Sequence, residues 1–399
     1  MFFKHSGSGV GTSVACLAVA ILWVLAVSAF AEDTKELNDR IDALEKKLDE
    51  LTASTSKANH DTGLPLHGFA DVYTGNSGSA AGTDRPHGFG FGALSFYMTP
   101  QFTDRVKALF ELVFEGEDER LAADLERAQI AYVFSDALTL WAGRFHTPYG
   151  YYNTAFHHGA QIQTSVTRPK FLDFEDKGGI LPAHSVGIMF DGRTPMGPGK
   201  VLYDVYVTNG SHISHVDSGG VQDFNFINDD NNTRALGLTL GYRVGGIQAG
   251  VHVLRDEVNS HDDSSGTHVT TAQTRVNMMG AYGVYDENDW EVMAEYYHWS
   301  NRDLLNGGEA HSSSAYFAQA GKLIGKWTPY ARTEKTSLNQ NDHYFADQAS
   351  GRSYRRNLVG IRYDLDPKAA IKFEAGKVKQ PDVADADYGE WRLQFAVRF

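Results

Sequence analysis

The chain of 399 residues is poor in three things that define common protein classes. It has one cysteine, Cys16, in its first thirty residues, so the rest of the chain can cross an oxidising periplasm without disulfide chemistry. It has no basic excess: the formal net charge is -14, which argues against nucleic acid, whose recognition needs a clustered basic surface. Beyond the N-terminal segment it also lacks any run of about 18 uninterrupted apolar residues, which excludes a bundle of membrane-crossing helices. If an exported chain of this kind enters a bilayer, it must do so as a closed barrel, where every backbone group is paired between strands.

What is present fits that option. Gly 40, Tyr 19, Phe 23 and Trp 6 accompany a mean hydropathy of -0.36, an aromatic-rich chain that is polar on average. Residues 1–31 carry an early charge at Lys4, an apolar run from Val14 to Val27 and the small-residue end Ala29-Phe30-Ala31. These features predict a cleaved signal peptide. Across 32–55, Leu37, Ile41, Leu44, Leu48 and Leu51 recur at alternating spacings of four and three, which predicts a short α-helical coiled coil. A solitary amphipathic helix is the alternative. Ile41 and Leu48 at one seam position with leucines at the other lean towards two strands, whereas the barrel reading favours a trimer. A polar linker at 56–65 would join the coil to the remainder.

From 66 to 399 the dominant signal is strict alternation. Trp391, Leu393, Phe395, Val397 and Phe399 interleave with Arg392, Gln394, Ala396 and Arg398. Val106, Ala108, Phe110, Leu112 and Phe114 oppose Arg105, Lys107, Glu111 and Glu115, and Glu126, Ala128, Ile130, Tyr132 and Phe134 interleave with Arg127 and Gln129. Apolar side chains on lipid and polar ones on a wet lumen explain the pattern; a soluble sandwich is the competing explanation. Counting such segments predicts sixteen strands, near 66–74, 88–99, 104–116, 123–134, 138–145, 183–192, 199–209 and 232–243, then 247–256, 270–285, 289–299, 312–323, 326–336, 354–365, 369–378 and 388–399. Tight turns of Gly, Pro, Asp and Asn alternate with long polar loops. The fold class expected is therefore all-β, a sixteen-stranded antiparallel transmembrane β-barrel preceded by the coil, wide enough for an aqueous channel. The longest connection, His146 to Pro182, is the third outer one, and a loop of that length is usually functional.

That connection carries the most specific sequence. Gly143 to Gly150 reads GRFHTPYG, Phe156 to Pro169 reads FHHGAQIQTSVTRP, and FEDKGG begins at Phe174. With the coil and the terminal Phe399, these segments resemble the phosphate-selective porin O/P-like family of outer-membrane proteins. The resemblance implies a trimeric barrel whose third loop folds inward as a constriction, with basic residues that attract anions. Arg144 matches the family's motif position; where the motif often carries lysine, this chain has His146.

The candidate constriction residues are Arg144, His146, His157, His158, Arg168, Lys170, Asp173 and Glu175; the candidate lining residues are Lys107, Glu111, Arg127, Arg332, Arg362, Lys372 and Arg392. Arg168 and Lys170 could instead pair with neighbouring acids to hold the loop's shape. Neither sign dominates the predicted lumen, which favours weak selectivity. The histidine sets His157-His158, His212 with His215, and His261 with His268 lack an obvious third ligand, so no metal and no cofactor is expected. No nucleophile and base pairing stands out, so no enzyme is expected either. The reading is passive diffusion of small hydrophilic solutes or ions, with anions such as phosphate among the candidates, across a Gram-negative outer membrane. The expected partners are lipid, two further copies and the barrel assembly machinery at Phe399. A structural tether, with the coil reaching the cell wall, is the alternative.

Overall fold

In the computed structural model the described residues are 66–77, 88–117, 120–156, 159–215, 220–227, 229–263, 269–305, 307–381 and 387–399. The expected leader, coil and linker lie outside them, as do His157 and His158. The strands are β1 (Leu66–Ser77), β2 (Gly88–Met98), β3 (Val106–Glu117), β4 (Arg120–Ser135), β5 (Leu138–His146), β6 (His184–Met196), β7 (Gly199–Thr208), β8 (Ser211–His215) and β9 (Gly220–Phe224). Then come β10 (Ala235–Val244), β11 (Ile247–Asp262), β12 (Val269–Glu287), β13 (Trp290–Asp303), β14 (Ala310–Lys322), β15 (Trp327–Ser337), β16 (Arg355–Asp366), β17 (Ala369–Lys379) and β18 (Tyr388–Arg398). All but β8 and β9 form one antiparallel ring of sixteen, in which β7 pairs directly with β10 and β18 closes on β1 from Phe69↔Arg398 to Ser77↔Glu390.

The ring follows from the alternation. Along β10, Leu236, Leu238 and Leu240 are exposed on the outer face while Ala235, Gly237 and Thr239 between them are buried. Along β18, Leu393 and Phe395 face outward and Gln394 and Ala396 are buried within. Short turns fix the register. Asn288 and Asp289 both take positive φ between Glu287 and its partner Trp290, the handedness a two-residue hairpin needs.

Two expectations are corrected. Glu126 does not share the outward face of Ala128 and Ile130: a bulge between Glu111↔Arg127 and Leu112↔Leu125 turns it inward beside Arg127. The connection after β7, read as a plain polar loop, contains the β8–β9 hairpin. Its cause is the length of β11, which runs past the start of β10 and leaves an open edge at Asn259–Asp262. Strand β8 fills that edge in parallel, pairing His212–His215 with those four residues and satisfying backbone groups that would otherwise be orphaned.

The third connection, 147–183, carries one helical turn, α1 (Tyr152–Ala155), and the connection after β15 carries another, α2 (His343–Ala346). Their aromatics build an apolar core inside the ring. Tyr149, Tyr152 and Phe171 of the third connection and Tyr344 and Phe345 of α2 are buried with Tyr297, Trp299 and Phe317 of the wall. Burying each such side chain contributes roughly 1.5 to 3 kcal/mol towards holding the segment, which has no strand ladder of its own.

Candidate functional site: a cavity beside the third connection

The segment Gly143–Gly150 moves the chain from the wall into the lumen. Gly143 sits at φ +126, where a Cβ would collide with the carbonyl oxygen of Ala128 on the neighbouring strand. Thr147 Oγ1 bonds Ser185 Oγ at 2.8 Å, Tyr149 is fully buried, and the Gly150 amide donates to His252 Nδ1 at 3.1 Å across the barrel. Gly143→Val should therefore combine backbone strain of about 1–3 kcal/mol with a broken β4–β5 contact. The expected result is a lower thermal midpoint of the folded barrel. A wild-type midpoint would mean that β5 can shift to make room.

Past that crossing, short helical turns pair some of the loop's backbone groups with one another, and acidic and basic side chains of the wall take others. Carboxylates take its N–H groups: Glu295 accepts from Tyr151 at 2.9 Å and Tyr152 at 2.6 Å, Glu374 from Val166 at 3.1 Å, and Glu334 from Lys170 at 2.6 Å. Cations take its carbonyls. Lys372 Nζ donates to Gln163 at 3.1 Å, Ser165 at 3.0 Å and Ala160; Arg362 donates to Gln161 at 2.6 Å and Gln163 at 3.0 Å; Arg332 donates to Thr167 at 2.8 Å and Arg168 at 2.9 Å. Where the side chain is charged, such bonds are about twice as strong as neutral ones. Arg332, Arg362 and Lys372, expected to line a pore, are thus covered by the loop they hold. Arg356 links Glu334 at 3.0 Å, Glu374 at 3.6 Å and Glu390 behind them.

The loop lies mainly against β11 to β17, reaches β18 through Lys170 and β3 through Lys177, and leaves space between these two contacts. There a cavity of about 760 Å³ runs between the loop and the wall of β1, β2 and β18. Asp71, Tyr73, Arg392 and Gln394 line it from the wall, and Gln163, Arg168, Asp173, Phe174 and Lys177 from the loop. Arg392 stands over the Tyr73 ring at 5.3 Å. The Arg168 guanidinium is stacked over Phe174 at 4.5 Å and donates to Leu172 O at 2.8 Å, Phe156 O at 2.7 Å and Asn153 Oδ1 at 3.1 Å, all neutral acceptors. Lys177 pairs with Glu115.

The remaining candidate residues have partners of their own, and of them only Glu175 lines the cavity. His184 lies between Glu126 at 2.5 Å and Glu175 at 3.3 Å, and Arg144 reaches the same Glu126 at 3.4 Å while covering Phe224. Burial raises the Glu175 carboxyl, but the charge and hydrogen bond of His184 outweigh it and hold the pKa below the usual carboxylate value. Glu111 binds Arg127 at 2.6 Å and has His146 at 3.8 Å. Lys170 donates to Tyr388 Oη at 2.8 Å, and Lys107 stands over Trp141 at 5.1 Å. Gln394 falls on the lumen phase that the alternation of the last strand predicts; Asp71 and Tyr73 were not singled out in the sequence, although each is on the inward phase of a predicted strand, which is the signal that could have found them.

No family model matches the chain, and no curated protein sequence does. Solved structures do match. The chain has a porin fold. The anion-selective porin from Comamonas acidovorans superposes at a TM-score of 0.56 with 14% identity over 84% of this chain and 98% of that one. The outer membrane channel DcaP of Acinetobacter baumannii gives 0.57 with 12% identity over 84% and 97%. Salmonella typhi OmpF in complex with daunomycin gives 0.55 with 11% identity over the same shares. At these identities the likeness is one of fold, and the ring, its closure and its strand number are what the porin fold shares with this chain.

Proposed function

We propose that this protein is a porin of a Gram-negative outer membrane, a passive channel for small hydrophilic solutes or ions rather than an enzyme. The observation that carries the reading is the polar cavity left between the inward third connection and the wall of a closed sixteen-strand ring. In this reading the third connection is the constriction, and the exposed stripe of Leu236, Leu238, Leu240, Leu393 and Phe395 meets lipid. A homotrimer and recognition of Phe399 by the barrel assembly machinery belong to the same reading. Arg168 and Arg392 favour anions, phosphate among them, and support kinship with the phosphate-selective O/P-like porins. The purified protein in a planar bilayer should give discrete, ohmic current steps; small irregular currents would overturn the reading.

The lipid-facing assignment has its own consequence. A charge at the bilayer midplane of a barrel costs about 2 to 4 kcal/mol, so Phe395→Arg should lower the heat-modifiable folded fraction in membranes. Equal folding yield of variant and wild type would place Phe395 off the lipid face.

A further inference from the structure

The cavity has a third wall that the porin reading does not use. Strand β9 contributes Gly220, Val221 and Gln222 to its lining, next to Gly178 of the third connection and Gln348 and Ser350 of the connection after β15. The hairpin reaches that place because its two faces differ. Ile213 and Gln222 face the packed side and are fully buried, with Gln222 Nε2 donating to Tyr344 Oη at 2.9 Å. Val221, paired with Ser214 across the hairpin, belongs to the opposite phase and is about half exposed, at 47%.

The hairpin is fixed at several points. Asp256 of β11 accepts both the Ser211 amide at 2.9 Å and the Ser211 hydroxyl at 3.0 Å. The Gly220 amide donates to Asp347 O at 2.8 Å, and Gly220 accepts from the Ala349 amide at 2.9 Å. Phe224 at its far end lies over Arg144 and 5.8 Å from the His184 ring. It therefore reaches from the β5–β6 rim to the connection after β15, alongside the Glu175–Lys177 turn of the third connection, with one face on the open space.

We infer that the β8–β9 hairpin is a second, independent constriction element of the channel, with Val221 the side chain that passing solutes meet. This rests on the porin reading. A stiffener of the neighbouring loops would need the buried face of Ile213 and Gln222 but would be indifferent to the charge at 221. A wall of the conduction path would not be.

Val221→Glu and Val221→Arg place opposite charges on an exposed position that makes none of the hairpin's anchoring bonds. Reversal potentials in a tenfold salt gradient should then shift in opposite directions, towards cations for Glu and towards anions for Arg. Val221→Trp should lower single-channel conductance by about a third or more with folding retained by heat-modifiability. A wild-type channel that conducts while all three variants leave reversal potential and conductance unchanged would overturn the inference and leave the porin reading standing. A wild type without current steps would instead overturn the reading on which it rests.

Discussion

Glu334→Leu should free the third connection from the wall while the barrel around it stays closed. Glu334 is fully buried and accepts four bonds: the Lys170 amide at 2.6 Å, Tyr354 Oη at 2.7 Å, Arg356 Nη1 at 3.0 Å and Arg332 Nε at 3.3 Å. Leucine fills the space but leaves two buried guanidiniums side by side and an amide without an acceptor. Removing one partner from a buried ionic cluster costs about 3–5 kcal/mol. At 1.4 kcal/mol per factor of ten, the opening equilibrium of the loop should rise by roughly two to three and a half orders of magnitude. Hydrogen exchange should show it at Lys170 and Phe171, with strand amides of β15 and β16 protected as before, because their ladder does not pass through the Glu334 side chain. Glu334→Gln keeps acceptor capacity for some of these bonds and should have a smaller effect. Unchanged exchange at Lys170 in the leucine variant would show that the aromatic core alone holds the loop.

The same cluster shows where the sequence was readable and where it was not. Each of the sixteen expected strands falls on a barrel strand, because one-sided burial imposes a period of two that few other constraints disturb. Lys372, Arg332 and Arg362 were likewise placed on the inward face by phase. Phase says which way a side chain points, not what stands in front of it. The third connection covers these three residues, and that contact joins positions some 160 to 210 apart in the chain. The Glu126 bulge and the β8–β9 hairpin escaped for a related reason. One depends on a single extra residue in β4, the other on the overrun of β11 past β10, and neither leaves a local pattern.

Arg392→Glu should shift the reversal potential further towards cations than any change at Arg144 or Lys170. Arg144 shares Glu126 with His184, and Lys170 is committed to Tyr388, so both charges act on the lumen through partners that offset or hold them. Arg392 lines the cavity from the wall, faced across it by the loop that carries Arg168 and Asp173. At 5 Å and an effective dielectric constant of 20, one unit charge acts on a passing ion with about 3 kcal/mol. The acids that give the chain its net charge of -14 lie partly on outer loops, where a Debye length of about 8 Å screens them. Local sign at the cavity should therefore outweigh net charge, and reversing Arg392 changes the local sum by two units. Arg392→Gln should move the potential about half as far in the same direction, while Arg144→Gln should move it little. If Arg392→Glu leaves the potential where it was and Arg144→Gln shifts it, the ions pass along the β4–β6 side, and the cavity beside Tyr73 is not the conduction path.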